Sequence, residues 1–151
     1  MMKLILKRSL ALIVLTFAAL PALADELDLS AYAGKEVYVD FWASWCGPCR
    51  QSYPWMNSLN QRKAQEGLVI IAVNVDQERR LANEFLDEFT PKFKVLFDAN
   101  VKLASEFKVA GMPSAYIIGR DGKPRFKHIG FHQDKEDQYE TEIQSLLDEA
   151  H

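Results

Sequence analysis

The sequence has only two cysteines among its 151 residues. That is too few for a small domain stapled by several disulfides. A structural zinc would want four ligands, and no further cysteine exists to supply them. Nor is there a surplus of positive charge: 18 Lys and Arg stand against 21 Asp and Glu, a formal net charge of −3. That balance gives no reason to expect nucleic-acid binding. Internal repeats, low-complexity tracts and linkers are missing. So are a Gly-rich phosphate loop, a glycosidase-like carboxylate pair and a Ser-His-Asp pattern. What remains is an ordinary globular balance, 48% hydrophobic and 26% charged, at a length that fits one domain.

One long uncharged run stands at the beginning. Lys3, Lys7 and Arg8 precede Ser9–Leu20 (SLALIVLTFAAL), followed by Pro21 and the small-x-small tripeptide Ala22-Leu23-Ala24. This is the three-part layout of a secretory signal, so residues 1–24 are expected to be a signal peptide and 25–151 the folded domain. The alternative is an uncleaved membrane anchor, although the run is short of the ~20 apolar residues that span a bilayer. Cleavage would remove Lys3, Lys7 and Arg8 and no acid, taking the net charge from −3 to −6. Export would also place both cysteines where a disulfide persists.

The rest alternates strands and helices. Val37–Trp42 (VYVDFW) is β-branched and aromatic, and Leu68–Val75 (LVIIAVNV) is apolar on both faces, as in a parallel strand covered by helices. Ala115–Ile118 and Arg125–Ile129 read as a hairpin, with Asp121-Gly122 suited to a type I′ turn. A helix is expected after Cys49 as far as Gly67, kinked at Pro54. Others are expected over Leu81–Phe89, after a cap at Asn100, and from near Asp134. The sum is an α/β sandwich with a mixed sheet.

The chemistry lies in Val39-Asp40-Phe41-Trp42-Ala43-Ser44-Trp45-Cys46-Gly47-Pro48-Cys49. A strand runs into a turn, and two cysteines open a helix. C-x-x-C at a helix start brings two sulfurs within reach of each other. It also sets the first among unpaired N–H groups at the positive end of the helix dipole, which favours its thiolate. Gly47-Pro48 suits a first turn. A two-thiolate Cu(I) site is the alternative reading, and it would want a third ligand such as His128 or His132. Asp40 is odd in an apolar strand, because a lone carboxylate is costly to bury. It either reaches solvent at the strand end or is a buried acid that takes a proton from Cys49.

The segment VDFWASWCGPC closely resembles the active-site segment of the thioredoxin superfamily. Pro54 matches the proline that kinks the family's active-site helix, and Gly111-Met112-Pro113-Ser114 matches the loop whose proline is cis beside the disulfide. Gly122 and Gly130 match the hairpin and post-strand glycines. The signal, the lead-in Leu27–Lys35 and the extra chain between Asp76 and Gly111 resemble the exported TlpA/ResA type, with a redoxin-like insertion. The resemblance implies a thioredoxin-like fold: a central mixed β-sheet flanked by helices, with an insertion between the second strand and the cis-Pro loop. Two positions depart from the relatives. Ser52 stands where ResA-like proteins often carry glutamate, and Ala72 stands where thioredoxin has a lysine near its buried aspartate.

The implied function is an exported, periplasmic thiol:disulfide oxidoreductase that reduces partner proteins. Cys46 is the expected nucleophile, Cys49 the resolving thiol and Asp40 the proton acceptor, with Trp45, Gly47, Pro48, Met112 and Pro113 as substrate-binding residues. Cys46 and Cys49 are the expected redox-active disulfide, and no cofactor or metal is expected. The expected partners are disulfide-bearing periplasmic proteins and a membrane-bound reductase as electron donor. The membrane is a partner only if the N-terminal segment stays uncleaved. Alternatives are an oxidant or isomerase, a Cu(I)-binding thioredoxin-like metallochaperone, and a peroxiredoxin-like peroxidase, which would want Thr-x-x-Cys where Trp45–Cys49 stands.

Overall fold

The computed structural model describes residues 25–149; the expected signal, 1–24, lies outside the described residues, as do 150–151. Strand β1 (Glu36–Trp42) is buried at every position. It is followed by β2 (Leu68–Asn74), β3 (Lys94–Phe97), β4 (Ser114–Ile118) and β5 (Pro124–Ile129). Their order in one sheet is β3-β2-β1-β4-β5. β1, β2 and β3 are parallel, whereas β4 and β5 join antiparallel, so the sheet is mixed as expected. β1 lies in the centre, buried on both faces although Glu36 and Asp40 share one of them.

Four helices supply the cover: α1 (Gly47–Lys63), α2 (Arg79–Phe89), α3 (Lys102–Glu106) and α4 (Glu136–Leu147). Side chains alternate along a strand. Tyr38, Asp40 and Trp42 therefore share one face. Tyr38 meets Trp55 of α1 at 5.8 Å, and Trp42 meets Tyr53 of α1 at 5.0 Å and Phe85 of α2 at 4.5 Å. Tyr139 of α4 reaches the same Trp55 at 5.9 Å. On the opposite face, Phe41 packs at 5.2 Å on Phe107, which ends α3. The insertion is α2, β3 and α3, between β2 and the Met112–Pro113 loop.

Two local expectations change. The cap of α3 is not Asn100. Val101 takes the cap position at φ 51°, and the buried Asp98 accepts the Ala104 N–H at 2.8 Å, satisfying the helix end from further back. The hairpin turn is not type I′ either, since only Gly122 of the pair has a positive φ, 77°. The Asp121 carboxylate accepts the Lys123 N–H and an Arg125 N–H, both at 3.1 Å, and that local ring keeps Asp121 out of the left-handed region. Gly122 donates to Gly119 O at 2.8 Å, and a register shift at Ile117/Ile118 absorbs the longer connection.

The end of the sheet remote from the cysteines is tied by Arg120. Its guanidinium donates to the carbonyls of Gly34, Glu66 and Leu147, each at 3.0 Å. Gly67 sits there at φ 109°, a backbone conformation that L side chains rarely adopt, and a Cβ on it would lie 2.9 Å from that guanidinium.

Candidate active site

β1 ends at Trp42, whose carbonyl accepts the Val75 N–H at 3.0 Å and so fixes the strand end against the exit of β2. The chain then turns through Ala43, Ser44 and Trp45, closed by Cys46 N–H donating to Ala43 O at 3.1 Å. Cys46 occupies the N-cap of α1 with extended backbone angles, and its Sγ accepts the Cys49 N–H at 3.2 Å. Gly47 and Pro48 form the exposed first turn. Cys46 and Cys49 are joined as a disulfide with their Cα atoms 5.3 Å apart. The first turn of α1 carries no acid, so nothing there opposes the positive helix end at Cys46.

The two sulfurs differ in access. Cys46 is 4% exposed and Cys49 is fully buried. Trp45, the residue before, is 72% exposed and presents a bare aromatic surface at the same turn. Met112–Pro113 is a cis peptide bond, as expected. Pro113 O accepts the Gly130 N–H at 2.8 Å, and Ser114 pairs with both Phe41 and Ile129. This register brings the cis-Pro loop to the cysteine end of the sheet, with partly exposed Met112 and exposed Ile129 on its rim.

Asp40 is 1% exposed, so the reading in which it reaches solvent is excluded. It faces α1, between Tyr38 and Trp42. Its Oδ2 has no hydrogen-bond partner, and the Tyr53 hydroxyl and Trp42 Nε1 are buried without partners on the same side. Its register neighbours are Ala72 on β2 and Ala115 on β4, so neither adjacent strand offers a cation. Burial alone pushes the Asp40 carboxyl well above the ordinary range. The Tyr53 hydroxyl is raised by its own burial first and by the Asp40 charge second. Ser52, in the place of the relatives' glutamate, is buried and donates its hydroxyl to Cys49 O at 3.1 Å.

Three features of this region have no counterpart in the sequence reading. Asp76, just beyond β2, accepts the Ser44 N–H and the Ser44 hydroxyl, each at 2.9 Å, and the Asn74 amide at 2.7 Å. The only sequence signal is an acid two residues after an asparagine at a strand exit. Arg50, one residue past Cys49, pairs with Glu88 of α2 and lies over the Phe85 and Phe89 rings at 5.3 and 5.0 Å. His128, named from sequence only as a third ligand of the alternative Cu(I) site, instead has its Nε2 2.6 Å from Glu142 Oε2 and its ring 4.6 Å from that of Tyr139. Among the described residues no group of three or more His, Cys, Asp or Glu side chains is placed to hold a metal ion.

A buried disulfide across a helix N-terminus, a cis proline at the same end of the sheet and a mixed sheet of this order make a thioredoxin-like site. The sequence pattern of the Redoxin family matches residues 15–143. The chain belongs to that family. It is 31% identical over 121 residues to a thiol-disulfide oxidoreductase ResA of Bacillus cereus, covering 80% of this chain and 69% of that one. It is 33% identical over 109 residues to ResA of Oceanobacillus iheyensis, covering 69% of this chain and 57% of that one. The solved structure of a DsbE-type thiol:disulfide interchange protein of Chlorobium tepidum superposes with a TM-score of 0.77 at 40% identity, covering 79% and 84% of the two chains. StoA of Bacillus subtilis, at 20% identity and TM-score 0.64, shares the fold. The redoxin is thus of the TlpA/ResA type, and its class is thiol–disulfide oxidoreduction. It spans under two thirds of several of these relatives, 61% of ResA from Bacillus anthracis for instance. No described helix is long and apolar enough to cross a membrane.

Proposed function

We propose that this redoxin is an exported reductant of partner disulfides, cycling between a Cys46/Cys49 dithiol and the disulfide. The observation that carries this reading is the asymmetry of the pair: Cys46 at the helix cap and Cys49 one turn deeper, fully buried, in a helix that covers the face of β1 bearing the buried, unpaired Asp40 carboxyl. The Cys46 thiolate attacks one sulfur of the partner disulfide. The other partner sulfur leaves as a thiolate and takes a proton from solvent. Cys49 then gives its proton to Asp40 and attacks Cys46 Sγ, closing the internal disulfide. The second partner sulfur leaves and is protonated. The net change is one partner disulfide reduced to two thiols and one dithiol oxidised to a disulfide. Resetting it requires an outside dithiol donor, for which a membrane-bound reductase fits an exported protein.

An extended partner segment would lie over exposed Trp45, Gly47 and Pro48 and partly exposed Met112, with buried Pro113 beneath, Met112 offering backbone hydrogen bonds in the manner of an added strand. Export is supported by the charged, apolar and small-x-small layout of residues 1–24 and would bring the protein to the periplasm. The Gly-Pro dipeptide between the cysteines supports the reducing direction. The test is stoichiometric reduction of a peptide disulfide by the pre-reduced protein, alongside Cys46→Ser and Cys49→Ser. Wild type should release two peptide thiols per internal disulfide formed, Cys49→Ser should stop at a mixed disulfide on Cys46, and Cys46→Ser should be inert. Consumption of hydrogen peroxide without a disulfide substrate, or tight Cu(I) binding without thiol release, would replace this reading with a peroxidase or a metallochaperone.

A further inference from the structure

The Ala43–Cys46 turn is held from outside itself. Ser44 sits in the turn, and both of its donors go to one carboxylate, that of Asp76, 32 residues further along. Asp76 is itself fixed: it accepts the Asn74 amide, and its own N–H donates to Asn74 Oδ1 at 3.1 Å. The group is almost wholly buried at the exit of β2, where Val75 binds the end of β1. A carboxylate with three donors is well satisfied in place. It also keeps a negative charge near the redox pair. Contacts from Asp76 to Ser44 N and from Ala43 O to Cys46 N, joined by one peptide unit, bound its distance from the Cys46 backbone to under roughly 9 Å. The other charge near the pair, Arg50, is drawn onto Glu88 and the two phenylalanine rings of α2.

We propose that Asp76 is a positioning residue that sets the redox poise of the pair. Through Ser44 it clamps the turn that presents Trp45 and Cys46, and its charge disfavours the Cys46 thiolate, keeping the couple on the reducing side. The inference rests on the reductant reading and supplies its cause. A couple becomes more oxidising as its reduced form is stabilised, and a thiolate gains stability when a nearby negative charge is removed. Glu84 and Glu88 of α2 line the other side of Ser44 with Arg50, and Glu88 is already spent on Arg50.

The experiment measures two quantities on the full-length reduced protein, wild type, Asp76→Asn and Ser44→Ala: the pH midpoint of Cys46 alkylation by iodoacetamide, and the equilibrium with glutathione at pH 8.5. In that equilibrium two glutathione thiols are oxidised to one disulfide as Cys46–Cys49 is reduced. Asp76→Asn keeps the shape and an acceptor but loses the charge. Its alkylation midpoint should fall, and the equilibrium should move about tenfold toward the reduced protein. Ser44→Ala keeps the charge and removes one donor that offsets it, so its midpoint should rise. A purely structural clamp would loosen both variants alike. Shifts of the same sign in both, or none in either, would overturn the proposal. Should Asp76→Asn not fold, the sign of the Ser44→Ala shift decides it: a rise supports the proposal, and a fall or no change refutes it. If wild type itself forms no reversible couple with glutathione, the reductant reading fails instead.

Discussion

β1 carries a buried acid at each end of its span, and the two differ in company. Glu36 begins the strand at the Arg120 end of the sheet and is 0% exposed with both carboxyl oxygens unpaired. Asp40 lies toward the cysteine end, 1% exposed, with one oxygen unpaired. Burial raises both. At Glu36 the Arg120 charge pulls the value back and the Glu149 charge pushes it up, and the result is about 8 against an ordinary 4.5. At Asp40 no cation answers burial, because its register neighbours are alanines. Glu36 feels the charge of Arg120, whose guanidinium ties the Gly34, Glu66 and Leu147 carbonyls, and so belongs to the closure of the fold. An acid buried without a cation, as at Asp40, is the one proposed above to take a proton from Cys49 once it has ionised.

The largest effect that separates them is on turnover. Asp40→Asn should lower disulfide-reductase turnover at neutral pH by about 100-fold or more, the scale of a lost general base. Cys46 alkylation should stay nearly unchanged. Wild-type turnover should climb with pH as Asp40 ionises, and the variant should lose that rise. Glu36→Gln should leave turnover alone, and an equal fall in both variants would erase the distinction.

Stability is the second arm. For an acid whose folded pKa is raised, the stabilising contribution is complete below its unfolded pKa and is lost as pH climbs through the folded one. For Glu36 that window runs from its ordinary 4.5 to about 8. Thermal melts should therefore show Glu36→Gln matching wild type near pH 4 and exceeding it at pH 9 by a few kcal/mol, on the order set by linkage. Asp40→Asn should also be the more stable protein at neutral pH, since no cation answers Asp40 from the adjacent strands. The smallest effect concerns the rim. Trp45→Ala should raise KM for a peptide disulfide a few-fold and leave the melting temperature in place, since the ring is exposed.

The sequence made Asp40 conspicuous because a carboxylate interrupts the apolar run Val37–Trp42, and such an interruption needs a reason. Glu36 raised no such flag. It follows Gly34-Lys35, where charge is ordinary, and its burial comes from segments far away in the chain, including Gly67, whose carbonyl accepts the Glu36 N–H at 3.1 Å. The Ser44–Asp76 clamp was hidden for the same reason: strand pairing closes a gap that no local pattern spans. Where the chemistry is local, as in the C-x-x-C pair and the capping turn, residues and spacing pointed to the right place, and the family resemblance supplied the Met112–Pro113 loop. The two local misreadings, Asn100 and Asp121-Gly122, arose where a neighbouring aspartate competed for backbone donors and won.

The most direct test is a single-turnover reaction of pre-reduced protein with a peptide disulfide, quenched with acid over time and read by mass spectrometry. If Asp40 takes the Cys49 proton, the mixed disulfide on Cys46 should form at the same rate in wild type and Asp40→Asn. It should then persist about 100-fold longer in the variant. Equal decay of the mixed disulfide in the two proteins, or slowed formation with normal decay, would contradict that role.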